Sequence, residues 1–106
     1  EMLEGLWQKL FENKIDFITT DHAPWASELK DKANIFDNKS GLPGLETLLP
    51  LLYHEGVTKR GLDLKTFANL ISTNPAKRFN LYPRKGVLQV GSDADITVLD
   101  PRGSFT

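Results

Sequence analysis

The sequence has no cysteine and only two histidines, His22 and His54. The first absence excludes a disulfide framework and any thiolate metal site. A bound metal would need His, Asp, Glu or modified Lys ligands. Excess charge of one sign is missing too: 13 Lys and Arg stand against 14 Asp and Glu, a formal net charge of -1. That balance gives no electrostatic reason to expect nucleic acid or an anionic membrane as partner. No apolar run reaches membrane-spanning length and no signal-peptide pattern is visible, so the default expectation is a cytoplasmic protein. What is present is ordinary for a globular chain: 106 residues, 40% hydrophobic and 25% charged. That suffices for one small domain with an adequate core.

The informative stretch is Ile15-Asp16-Phe17-Ile18-Thr19-Thr20-Asp21-His22-Ala23-Pro24. Ile15, Phe17 and Ile18, with the β-branched Thr19 and Thr20, suit a short strand covered on both faces by helices. Asp21 would then stand at the C-terminal end of a parallel strand, where α/β barrels and sheets keep their chemistry. The plainer reading of such an Asp is a turn or helix cap. Strand alternation would turn His22 away from any site that Asp21 faces, into a role bracing the loop. His54, at an expected helix end, reads as a dipole partner or a surface residue.

Around that stretch, Met2, Leu3, Leu6, Trp7, Leu10 and Phe11 recur at helical spacing, and Asn13-Lys14 can end the helix. Residues 22–44 read as a long loop, dense in turn residues from Asn38 to Gly44 and with room for one helical turn near Ser27. A loop of this length is usually functional or disordered. Leu45, Leu48, Leu49, Leu51 and Leu52 predict a strongly apolar helix, which Pro50 should kink or divide. Residues 55–61 read as a polar connector. Asp63 is a good N-cap for the next helix, and Ser72-Thr73-Asn74-Pro75 should stop it and start another, with Asn74 as N-cap and Pro75 at the first helical position. Val87-Leu88-Gln89-Val90 and Ile96-Thr97-Val98-Leu99 read as short strands about a Gly91–Asp95 turn. Asp93 and Asp95 alone are too few oxygen ligands for calcium, so a hairpin turn is the preferred reading. Two short strands do not make a domain and need partners from elsewhere. With no initiator Met and a start in mid-pattern, the chain is expected to be a piece of something longer.

Three stretches carry a resemblance. They are Thr20-Asp21-His22-Ala23-Pro24, then Gly41-Leu42-Pro43-Gly44-Leu45-Glu46-Thr47, then Ser72-Thr73-Asn74-Pro75-Ala76-Lys77-Arg78-Phe79 running on to Gly91-Ser92-Asp93-Ala94-Asp95-Ile96. In this order and spacing they resemble the C-terminal part of the cyclic-amide hydrolases of the amidohydrolase superfamily: dihydroorotases, allantoinases, hydantoinases and dihydropyrimidinases. The resemblance implies an α/β fold, the C-terminal fragment of a TIM-like (β/α)8 barrel. Residues 1–82 would close the barrel, with a strand over 15–20, the loop 22–44 and helices over 45–55, 63–72 and 75–81. Residues 83–106 would add short strands to a small β-sandwich domain.

The same resemblance implies metal-dependent hydrolysis of a cyclic amide C–N bond. Asp21 would be general base and metal ligand. The metal would be divalent, zinc being usual, as one or two ions held mostly by residues outside these 106. Trp25 and the loop residues Ser40, Gly41, Pro43 and Gly44 would contact the substrate, the loop through its backbone. Dihydroorotases of this type usually carry His where Trp25 stands. Trp offers no charge to a substrate carboxylate, which favours a neutral hydantoin, dihydropyrimidine or allantoin ring over dihydroorotate. The implied partner is a small-molecule substrate, with the parent a homo-oligomer and the fragment alone inactive. Two other readings stay open: a non-catalytic barrel homologue serving as scaffold or oligomerisation partner, and a self-contained α/β binding domain. The fragment reading expects exposed apolar surface; the self-contained one does not.

Overall fold

The spacing of Leu3, Leu6, Trp7 and Leu10 places one apolar stripe along helix α1 (Met2–Phe11) in the computed structural model of the chain. The structure describes residues 2–103; Glu1 and the last three residues of the segment assigned to a sandwich lie outside them. Helix α1 ends where Asn13 turns left-handed, at φ 55°, a conformation that Asn tolerates.

Helix α2 (Leu45–Leu52) contains Pro50 and is not divided by it. Instead the helix widens into π-type turns over Tyr53–Thr58 and stays helical through Arg60. The polar connector expected over 55–61 is therefore mostly helix. Its charges explain this: Glu55 accepts from Lys59 Nζ at 2.7 Å and from Arg60 at 2.9 Å. A wide turn brings residues four and five apart onto one face. Gly61, at φ 71°, ends the helix. Leu62 N donates to Gly56 O at 2.9 Å and Gly61 N to Val57 O at 3.1 Å, the paired bonds of a left-handed glycine cap.

Asp63 caps helix α3 (Leu64–Ala68), its carboxylate accepting from Thr66 N at 2.9 Å. The break expected at 72–75 is absent. The backbone passes through a wide turn, Asn69–Thr73, into helix α4 (Asn74–Arg78), and Thr73 and Asn74 keep helical dihedrals. Asn74 is not an N-cap. Its backbone N–H reaches back five residues to Asn69 O. Leu70 O, next in line, would look five residues ahead to Pro75, which has no N–H. A buried carbonyl left without a donor costs about 1–3 kcal/mol. Ile18 N supplies the donor at 3.1 Å, which docks the 15–20 segment onto the helix.

Among the described residues no β-strand forms. The strands expected over 15–20, 87–90 and 96–99, and the small sandwich they were to join, are thus not supported here. The physical reason is pairing: a strand exists through a ladder to a neighbour. The 15–20 segment bonds instead to helices, while Val90 and Val98 stand out in solvent, 103% and 88% exposed.

Leu10, Leu52, Leu62, Phe67 and Leu70 form the core, flanked by Trp7, Ile15, Ile18 and Tyr53. Arg60 clamps α1 to this core: its guanidinium lies 4.7 Å from the Trp7 ring centroid and 2.8 Å from Glu4. The core is small for the chain. The radius of gyration is 16.8 Å, against about 13 Å for a compact domain of this length, and Met2, Ile35, Phe36 and Leu42 are also exposed. The expected apolar exposure is there, and it speaks against a self-contained domain. No helix of the described residues is long and apolar enough to cross a membrane.

Candidate active site

Asp21 sits three residues beyond the Ile18 anchor, exposed, with its backbone left-handed at φ 48°. Asp adopts this region more readily than most residues, and such positions recur at functional sites. The turn also ends any strand alternation. His22 is directed by another force: its Nδ1 accepts from Gly44 N at 3.0 Å and from Leu45 N at 3.1 Å. Those are orphan donors at the start of α2, which Gly44 has no side chain to cap. An Nδ1 that accepts is unprotonated, so the ring proton belongs on Nε2.

Two further contacts close the loop over Asp21. Ala23 N donates to Leu42 O at 3.0 Å. A side chain on Gly41 would put its Cβ 2.5 Å from that of Ala23, and Gly41 has φ 99°. Within the loop, short 3-10 turns form over Ser27–Leu29 and Ile35–Asp37. Asn38 pairs with both backbone groups of Lys32, and Lys39 N donates to Leu29 O at 2.9 Å.

The structure thus brings the 21–25 segment against the 39–45 segment. Asp21, Trp25 and the loop from Ser40 to Gly44, with Pro43, share one loop cluster. Two cations that the sequence reading passed over are there as well. Lys39 Nζ lies 5.5 Å from the Trp25 ring centroid, and Lys30 Nζ bonds to Gly41 O. Nothing in the sequence signals this, because a lysine three-dimensionally above a tryptophan leaves no pattern. Positive charge therefore accompanies Trp25 after all, which weakens the inference from its neutrality to a neutral ring.

His54 is exposed in the wide turn after α2, away from this cluster. Asp93 and Asp95 are engaged by Lys85, at 3.0 Å from Asp93, and Asp93 N bonds to Arg84 O. The pairing holds the Lys85 ammonium's pKa above its ordinary value, Asp95 more than Asp93. The largest groove, about 750 Å³, runs between Leu48, Phe67, Ile71, Val87 and Leu99, and excludes Asp21 and the loop. Its apolar lining carries no nucleophile or base.

As to a metal, no group of three or more His, Asp or Glu that could hold an ion occurs among the described residues. Asp21 offers one carboxylate and His22 Nδ1 is taken. These residues do not make a metal centre by themselves.

The sequence model of the amidohydrolase family matches residues 2–105. An allantoinase from Bacillus licheniformis is 44% identical over 97 residues, 92% of this chain and 21% of the relative. An allantoinase from Enterococcus faecalis is 39% identical over 95% of this chain and 22% of its own length. Among solved structures, the D-hydantoinase (dihydropyrimidinase) from Thermus sp. superposes with a TM-score of 0.80 at 41% identity, covering 86% of this chain and 20% of that one. The chain spans about a fifth of the length of the relatives it matches.

Proposed function

The chain belongs to the amidohydrolase family, and from that premise we propose that it forms part of an enzyme hydrolysing a cyclic amide C–N bond. The observation that carries this is the apposition of Asp21 to the 39–45 loop, in a chain whose relatives are allantoinases and a D-hydantoinase. A ring of the allantoin, hydantoin or dihydropyrimidine kind is the substrate class we favour, with dihydroorotate as the competing one.

In this reading Asp21 is the general base. Its carboxylate takes a proton from the attacking water as the C–O bond forms at the ring carbonyl carbon. It returns that proton to the ring nitrogen as the C–N bond breaks. Trp25 offers a flat face to a planar ring, and Ser40, Gly41, Pro43 and Gly44 offer backbone groups to its amide edge. A divalent metal, zinc by family habit, would lower the pKa of the attacking water. Asp21 would be one of its ligands and the others would come from outside these 106 residues. A barrel for residues 1–82, a cytoplasmic location and a homo-oligomeric parent complete the proposal.

The test is hydrolysis by the metal-loaded, full-length protein containing this chain, on allantoin, hydantoin, dihydrouracil and dihydroorotate. Turnover of a neutral ring that Asp21→Ala abolishes is the expected result. Turnover of dihydroorotate alone would move the substrate to the competing class. Undiminished function of Asp21→Ala would leave a scaffold in place of an enzyme.

A further inference from the structure

We propose that Asn74 is a positioning residue for Asp21, acting through the backbone of the 15–20 segment; this rests on the reading of Asp21 as general base. Asn74 Nδ2 donates to Asp16 O at 2.7 Å, and Leu70 O accepts from Ile18 N at 3.1 Å. The two bonds fall on alternate residues, the spacing of one edge of an extended chain. One turn of helix therefore presents a donor and an acceptor where a neighbouring strand would.

That arrangement follows from the Asn-Pro pair. The wide turn Asn69–Thr73 commits the Asn74 backbone N–H to Asn69 O, and Pro75 has none to give Leu70 O. The Leu70 carbonyl is left for Ile18. Because the backbone N–H of Asn74 is already bonded, its side chain is not used as a cap and reaches across 58 positions of sequence to Asp16. Phe17, between the two bonded residues, packs edge-on against Phe79 at 6.1 Å. The segment is thus held at Asp16, Phe17 and Ile18, and Asp21 follows it at the left-handed turn. A base displaced by a fraction of an ångström loses much of its effect on rate while substrate contacts made by the loop persist.

The test uses the full-length protein, with Asn74→Ala and Asn74→Asp, which keeps the shape but has no amide donor. Asp63→Ala, which removes the distant α3 cap, is the control for lost stability. Two readouts are taken: hydrogen exchange at Ile18, and kcat and KM on the ring the parent hydrolyses. The expected result for either Asn74 variant is roughly tenfold faster exchange at Ile18. With it, kcat falls about tenfold or more while KM stays within about twofold. Asp63→Ala should lower the melting temperature without that kcat loss. Unchanged Ile18 exchange overturns the tether, and an equal kcat loss in Asp63→Ala reduces Asn74 to general stability. If Asp21→Ala is fully active, the base reading fails and the positioning role with it, whereas the exchange data still decide whether the tether exists.

Discussion

The imidazole of His22 caps a helix that begins at Leu45: its Nδ1 stands 3.0 Å from the amide nitrogen of Gly44. A residue beside the candidate base thereby fixes where the opposite loop ends and helix α2 starts. Replacing His22 by Ala should cost about 1 kcal/mol, the usual loss for a removed cap. His22→Asn, whose side-chain oxygen also accepts, should recover part of it. Thermal unfolding of the three proteins checks the order; equal stability of His22→Ala and the parent sequence would show the two bonds to be without net effect.

Gly41→Ala should open the loop. The left-handed φ of 99° alone disfavours a side chain, and the 2.5 Å approach to the Ala23 Cβ requires the backbone to move. A loss of about 1–3 kcal/mol, local to the loop, is the expected scale. Faster amide exchange at Ala23, which bonds to Leu42 O, is the direct readout. In the proposed enzyme KM should rise more than kcat falls.

Pro75→Ala should act in the opposite sense to ordinary helix repair. Alanine improves helix propensity by about 3 kcal/mol in an isolated helix. It also gives Leu70 O an N–H within its own helix, in competition with Ile18. Helical circular dichroism should be kept or raised while the Ile18 amide exchanges faster. An Ile18 amide as protected as before would refute the competition.

Acid should release helix α1 through Glu55. Its carboxyl is held below its ordinary 4.5, first by the bond from Lys59 and then by that from Arg60. A folded value below the unfolded one means that the contribution is complete above about pH 4.5 and is lost as the pH falls through the folded value. Arg60, which also grips Glu4 and covers Trp7, then keeps one carboxylate partner fewer. Glu55→Gln should flatten this part of the stability curve. An acid-unfolding titration of both proteins, with Trp7 fluorescence as probe, checks the slope between pH 5 and about 3.

Helix α1 and the caps at Asp63 and Gly61 were legible because the signals are local: apolar spacing, a carboxylate before a helix, a glycine after one. The match to the family model, too, followed from short motifs in order. Misreadings arose where a local rule met a nonlocal partner. Asn74 before Pro75 looks like a cap, but the wide turn had already bonded its N–H, and Asp16 claimed its side chain. Residues 55–60 look like a connector, but i,i+4 and i,i+5 ion pairs kept them helical. The 15–20, 87–90 and 96–99 stretches have strand composition, yet composition supplies no neighbour to pair with. At the candidate site, sequence order brought Asp21 to notice, while the seating of Lys39 over Trp25 depends on the path of a loop.

The wide turn at Asn69–Thr73 is, in effect, one residue more than an α-helix needs. Each residue of an α-helix turns the side chains by about 100°. Deleting a single residue there would restore regular winding and rotate everything downstream by about that angle. Ala76 would leave its buried place, Phe79 would swing from Phe17, and Thr73 would lose its bond to Gly86 O. The length of this stretch is therefore under tighter constraint than its composition: many substitutions leave the phase of the helix intact, and no deletion does.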